Sequence, residues 1–284
     1  MEFPDTISVV EIGKTQRLTL ARLTSVGAYL TDGRDDVLMP KKYVPPSAQL
    51  GETVEAFVYL DSEDRPIATT QKPKAEVDSF AYLRCVGTSN VGAFLDFGLE
   101  KDLLVPFREQ LSPMREEQGY VVRVFLDEVS GRLVGSSKLR KFLSPPSETL
   151  VLGTEMPFLI SEVRPRALIG VADDRYDAVV LEDELPREVM RVGRRLNAWL
   201  KKVSPEGVQL ALRPIGRRAE LGGAEQLLVR LKEEGGFLGL NDDSSPEEIQ
   251  RKLGLSKSAF KRILGHLLKE GRIDMDPYGI RLRA

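Results

Sequence analysis

The sequence is poor in the residues from which most catalytic and metal sites are built: one Cys, one His and one Trp in 284 positions. A single Cys excludes an intramolecular disulfide framework and any multi-Cys zinc or iron–sulfur site. A single His, His266, excludes a site made of several imidazoles. No apolar run is long enough to span a bilayer, so no membrane span is expected. The opening stretch MEFPDTISVVEIGKTQRL carries acid and proline without a basic region, so no secretory leader is expected either. No phosphate-binding G-x-x-x-x-G-K-[ST], no dinucleotide G-x-G-x-x-G and no G-x-S-x-G nucleophile turn is present. The acid pairs Asp35-Asp36 and Asp173-Asp174 have nothing near them in sequence that completes a two-metal site. These absences lead to the expectation of a non-enzymatic protein without cofactor, at home in a reducing cytoplasm.

Charge of one sign is lacking too. Lys and Arg number 41 against 43 Asp and Glu, a formal net charge of −2. Attraction to nucleic acid must therefore come from local patches rather than from the whole chain. Residues 215–284 lean basic, whereas residues 1–75 hold fewer basic than acidic groups. Apolar residues make up 42%, enough for folded domains, and the length allows two or more of them.

What is there is a repeat. Val26-Gly27-Ala28-Tyr29-Leu30 recurs as Val91-Gly92-Ala93-Phe94-Leu95. After each comes an apolar run ending in proline, at Pro40 and at Pro106. Each copy then has a glycine opening an alternating stretch, Gly51–Leu60 and Gly119–Leu126. A turn with an acid followed by an Arg comes next, Asp61 with Arg65 and Asp127 with Arg132, and then a short closing strand. A degenerate third copy fits 150–214, with Val171 standing where the other copies have the aromatic. Period-2 alternation and β-branched residues predict strands, five per copy. A unit this small closes most economically into a barrel, which leaves no exposed sheet edge. The proline-bearing stretches Gln71–Lys74 and Leu143–Ser147 read as linkers. The expected domains are 1–72, 76–143 and 147–214.

From residue 217 the period changes to 3.6, and 217–284 is expected to form a further domain. Ala224, Leu227, Leu228 and Leu231 mark one helix. Ser245-Pro246-Glu247-Glu248 is a helix start, and Ser256 caps a third helix with its apolar stripe at Phe260, Ile263, Leu264, Leu267 and Leu268. A hairpin around Pro277-Tyr278 closes the chain. Helices followed by a hairpin predict a winged helix, whose third helix would carry Lys257, Ser258, Lys261, Arg262 and Lys269 outward. The fold expected overall is mainly β with a C-terminal α+β domain: three tandem five-stranded OB-fold barrels and a winged helix-turn-helix.

The repeated string resembles the S-one motif, the RNA-binding OB-fold repeat named after a ribosomal protein. That motif presents aromatics from strands two and three to RNA, beside an Asp…Arg turn. The resemblance implies base contact by Tyr29 and Phe94 and phosphate contact by Arg65 and Arg132. The motif's second aromatic is replaced by Val26 and Val91, and its frequent His by Pro40 and Pro106. Lys41 and Lys42 after Pro40 are further candidates for the backbone, as are Lys257, Lys261, Arg262 and Lys269 of the third helix. In the third copy Arg164, Arg166, Arg194, Arg195, Lys201 and Lys202 are offset by Asp173, Asp174, Asp177, Glu182, Asp183 and Glu184. Three repeats and a helical tail are similar to the conserved virulence factor B family of bacteria, which implies a cytoplasmic RNA-binding regulator. The expected partner is single-stranded RNA. The competing expectation is a transcription regulator that binds duplex DNA through the third helix.

Overall fold

The glycine-led alternating stretches become the long strands of three closed barrels in the computed structural model, which describes residues 10–147, 149–181, 190–214 and 216–283. The first barrel contains β1 (Thr15–Leu23), β2 (Gly27–Thr31), β3 (Asp36–Pro40), β4 (Thr53–Leu60) and β5 (Pro66–Thr69). Its order is β1-β2-β3-β5-β4, closed by β4 pairing back onto β1. All neighbours are antiparallel except β3 and β5, which run parallel at Leu38 and Ile67. This is the OB order. The second barrel repeats it with β6 (Phe80–Thr88), β7 (Gly92–Leu95), β8 (Leu103–Pro106), β9 (Gly119–Leu126) and β10 (Leu133–Ser136). The third does so with β11 (Glu155–Arg164), β12 (Ala167–Ala172), β13 (Tyr176–Leu181), β14 (Arg195–Ser204) and β15 (Gly207–Ala211). A bulge between Leu20 and Arg22, and another between Cys85 and Gly87, coil the first strands of barrels one and two.

Gly27 and Gly92 explain the repeated Val-Gly-Ala string. Both have φ near +155°, and a Cβ there would lie 2.1 Å from the Met39 carbonyl oxygen or 2.3 Å from that of Val105. Only glycine lets the second and third strands come this close at the barrel corner.

Contacts group the chain into two compact units, the first comprising residues 1–144, 159–177 and 185–195, the second 145–158, 178–184 and 196–284. In the first unit, inward residues such as Leu18, Leu20, Leu30, Met39 and Val58 fill barrel one. β4 departs from a simple alternation, because Phe57 and Tyr59 on its outer side are buried as well. They belong to the core of the second barrel, where Phe57 meets Phe97 edge-on at 6.2 Å between ring centroids. Phe80 and Val121 of barrel two are in turn buried with Leu159 and Val171. Cys85 is fully buried, as a small hydrophobe in a strand should be.

In the second unit, α1 (Gly216–Glu233), α2 (Pro246–Leu253) and α3 (Lys257–Lys269) pack around Leu227, Leu231, Ile249, Phe260, Ile263 and Leu267. Ser245 accepts a hydrogen bond from the Glu248 amide and Ser256 one from the Ala259 amide, so both caps form as the sequence predicts. Gly254 terminates α2 with φ +67°. The hairpin is β17 (Ile273–Asp276) and β18 (Gly279–Leu282). The sequence reading missed a third strand, β16 (Phe237–Leu238), which pairs with β18. Two residues are too short a stretch to show any period.

Candidate nucleic-acid interface

Tyr29 is the third residue of β2, paired with Leu38 on one side and Arg22 on the other. Its neighbours Ala28 and Leu30 point into the barrel, so the half-buried ring belongs to the outer face. Arg22 covers it, with Cζ 3.7 Å from the ring centroid. Val26, in the place of the motif's second aromatic, is 58% exposed. In the turn after β4, the Asp61 carboxylate accepts from the Arg65 amide at 3.0 Å, the Glu63 amide at 2.8 Å and Arg65 Nε at 3.0 Å. The backbone hydrogen bond from Arg65 leads the effects that hold this carboxyl below the usual range. Arg65 is thus engaged by its own turn, and Glu63 bonds its other end at 2.9 Å. Lys41 is exposed, whereas Lys42 is tied to Glu100 at 2.5 Å and lies 5.0 Å from the Tyr43 ring.

Phe94, third in β7, occupies the matching place in barrel two and lines a cavity of about 470 Å³. Lys101, Arg108 and Arg132 line the same cavity, with Tyr59 and Leu60 of barrel one along another wall. Burial pulls the Lys101 ammonium below its ordinary value, and its Nζ reaches the carbonyls of Leu60 and Asp61 at 3.3 and 3.2 Å. The second turn differs from the first. The Asp127 amide donates to the Arg132 carbonyl at 2.9 Å, but its carboxylate accepts from the Ser130 amide and hydroxyl and bonds Arg108 rather than the Arg132 guanidinium. Arg132 Nε instead donates to Asp64 of the first barrel at 2.5 Å.

Phe107 and Arg108 were missed in the sequence. Phe107 is 56% exposed and its amide points to the Val91 carbonyl oxygen at 3.4 Å, beside the equally exposed Val91. The signal was an aromatic and an arginine directly after Pro106.

On α3, Lys261, Arg262 and Lys269 are exposed, while Lys257 is half-buried with its Nζ 3.5 Å from the Asp243 carbonyl oxygen. Tyr278, 81% exposed at the hairpin tip, is a further surface aromatic that the sequence reading did not single out as a contact. Glu248 of α2 pairs with Lys252 at 3.4 Å.

Residues 225–282 match the model of the CvfB-like winged helix domain, and residues 12–71 match that of the S1 domain. Relatives extend the likeness over most of the chain. YitL of Bacillus subtilis is 27% identical over 92% of this chain and 90% of its own length. Conserved virulence factor B of Staphylococcus saprophyticus is 24% identical over 82% of this chain and 81% of its own length. The resemblance to the conserved virulence factor B family holds. A solved multidomain protein with nucleic acid binding domains from Streptococcus pneumoniae is 22% identical, covering 96% of this chain and 98% of its own, at a TM-score of 0.40.

The S1 domain and the CvfB-like winged helix are nucleic-acid-binding domains rather than enzymatic ones. Among the described residues no cluster of three or more His, Cys, Asp or Glu is placed to hold a metal ion, and no helix is long and apolar enough to cross a membrane. His266 is half-buried and 3.3 Å from Glu270 on the same helix.

The third barrel departs furthest from the S1 pattern, and the alignment made from sequence is two residues off. β12 starts at Ala167, so its third residue is Ile169; that position, not Val171, corresponds to Tyr29 and Phe94. Ala167 takes the place of Gly27 and Gly92, and no residue at this corner has positive φ. Of the basic residues in this copy, Arg164 pairs with Glu162 at 2.7 Å and Arg195 with Asp174 at 3.0 Å, while Lys201 and Lys202 are exposed. Glu182, Asp183 and Glu184 lie outside the described residues.

Proposed function

We propose that this chain is a non-enzymatic RNA-binding protein of the cytoplasm, a bacterial post-transcriptional regulator that holds single-stranded RNA across its barrels and winged helix. The observation that carries this reading is the cavity of barrel two, where Phe94 shares the wall with Lys101, Arg108 and Arg132, the acids Glu100, Asp102 and Asp127 lining it too. An aromatic face next to several cations suits a single strand, whose bases are free to stack while the cations follow its phosphates. A duplex hides its base faces and gives Phe94 nothing to stack on. Tyr29, Arg65, Lys41 and Lys42 contribute from the first barrel. Arg22 already covers one face of Tyr29, which makes that face the weaker one for stacking. Lys257, Lys261, Arg262 and Lys269 would extend the track on α3. Modest sites on one chain reach useful affinity because the first contact raises the effective concentration of the next.

Fluorescence anisotropy of the full chain against labelled single-stranded RNA and random duplex DNA, over a salt series, tests this. RNA should bind more tightly, with a slope of about 0.7 per phosphate contacted. A preference for duplex DNA that is lost on charge reversal of Lys261 and Lys269 would support the second reading, a transcription regulator acting through α3. The exposure of those two lysines on α3 is what favours that reading.

A further inference from the structure

Two turns with the same Asp…Arg pattern end up in different circumstances. In barrel one the turn closes on itself, Asp61 holding Arg65. In barrel two Asp127 is taken by Ser130 and Arg108, which leaves Arg132 without its own acid. The partner it finds is Asp64, on the first barrel's turn. Asp64 has φ +62°, a left-handed conformation uncommon for a residue with a side chain. Lys101 steadies the same turn by donating to the carbonyls of Leu60 and Asp61.

We infer that Asp64 stands in for an RNA phosphate on Arg132, so that the first barrel gates the binding face of the second and RNA must displace the Asp64 carboxylate to be held there. A carboxylate and a phosphate oxygen present the same acceptor to a guanidinium, and only one can take a given N–H. The pair is open to water: the Arg132 side chain is 41% exposed and that of Asp64 55%. Exposed pairs of this kind are weak and easily broken, so the gate tunes affinity without closing the site. Lys101 keeps the turn anchored by its carbonyls when the carboxylate is displaced, which makes the exchange local.

This inference rests on the RNA-binding reading, and the test separates the two. Affinity for one labelled single-stranded RNA is measured by anisotropy for the full chain and for Asp64→Asn, Arg132→Gln and the double variant. Asparagine tolerates the left-handed conformation, and Asp64→Gly serves as a second variant free of side-chain strain. The gate predicts binding about two- to fivefold tighter for Asp64→Asn and Asp64→Gly, the range expected from releasing an exposed ion pair. It also predicts weaker binding for Arg132→Gln, and no gain from Asp64→Asn once Arg132 is gone. A gain that persists without Arg132 would be a general effect of removing a negative charge, and would overturn the gate. Unchanged or weaker binding by both Asp64 variants, with Arg132→Gln still weakened, would overturn the gate and leave the RNA reading standing. Absence of RNA binding by the parent chain would overturn both.

Discussion

Arg22 lies over the ring of Tyr29, its Cζ 3.7 Å from the centroid and one nitrogen 3.5 Å from Asp36. No cation covers the equivalent Phe94 in this way among the described residues. One face of Tyr29 is therefore already occupied, while Phe94 faces a cavity.

The two aromatics should differ in their weight for RNA. Phe94→Ala should weaken single-stranded RNA binding by about tenfold, within the range for losing one stacked base. Tyr29→Ala should cost only about two- to threefold, because a base must share or displace the guanidinium. Melting temperatures measured alongside should stay close to the parent, since both rings are half-buried. Equal losses would count against the asymmetry.

The corner glycines should be far less replaceable than their counterpart in barrel three. In Gly92→Ala the new Cβ falls 2.3 Å from the Val105 carbonyl oxygen at φ +155°. Urea unfolding should show a loss on the order of 3 kcal/mol. Ala167→Gly, at the matching strand position, should cost only about 0.5–1 kcal/mol from added chain freedom. Similar costs at both positions would contradict the close-approach argument.

Phe57 should matter more than an outward strand residue ordinarily does. It is 1% exposed because it fills the core shared with barrel two. Phe57→Ala should destabilise the chain by about 3–5 kcal/mol in denaturant unfolding, the usual cost of emptying a buried aromatic site. A cost near that of a surface substitution would mean the two barrels do not share this core in solution.

Asp127 should confer a pH-dependent share of stability. Hydrogen bonds from the Ser130 amide first, and then its hydroxyl, with Arg108 nearby, hold its carboxyl below the ordinary range. A depressed folded value stabilises the fold above the unfolded carboxylate range, and that contribution disappears as pH falls through the folded value. Asp127→Asn should therefore melt below the parent at neutral pH, and the gap should close in strong acid. A gap that stays constant on acidification would show that the carboxylate charge is not what matters.

Much of the fold was legible because it is written in short-range rules. Gly27 and Gly92 mark a corner only glycine fits, proline marks the strand ends at Pro40 and Pro106, and alternation marks β4 and β9. Ser245 and Ser256 cap helices through hydrogen bonds that span three residues. The register of the third copy was legible only roughly: with Ala167 at the corner, nothing local distinguishes Ile169 from Val171, which lie on the same side of the strand. Phe107 and Arg108 escaped notice because they sit one and two places past the position the motif makes prominent.

By itself the sequence determined three barrels in one order, a winged helix, and which aromatics stand on the outer strands, since periodicity and turn chemistry act over a few residues. Tertiary structure alone decided that Phe57 is core, that Arg108 takes Asp127 and that Arg132 turns to Asp64. Both turns carry an Asp followed by an Arg, the second turn one residue longer than the first, and that difference does not say which acid each arginine meets. The choice falls to whichever charge the packing of one barrel on the next brings within reach, at separations such as the 68 positions between Asp64 and Arg132.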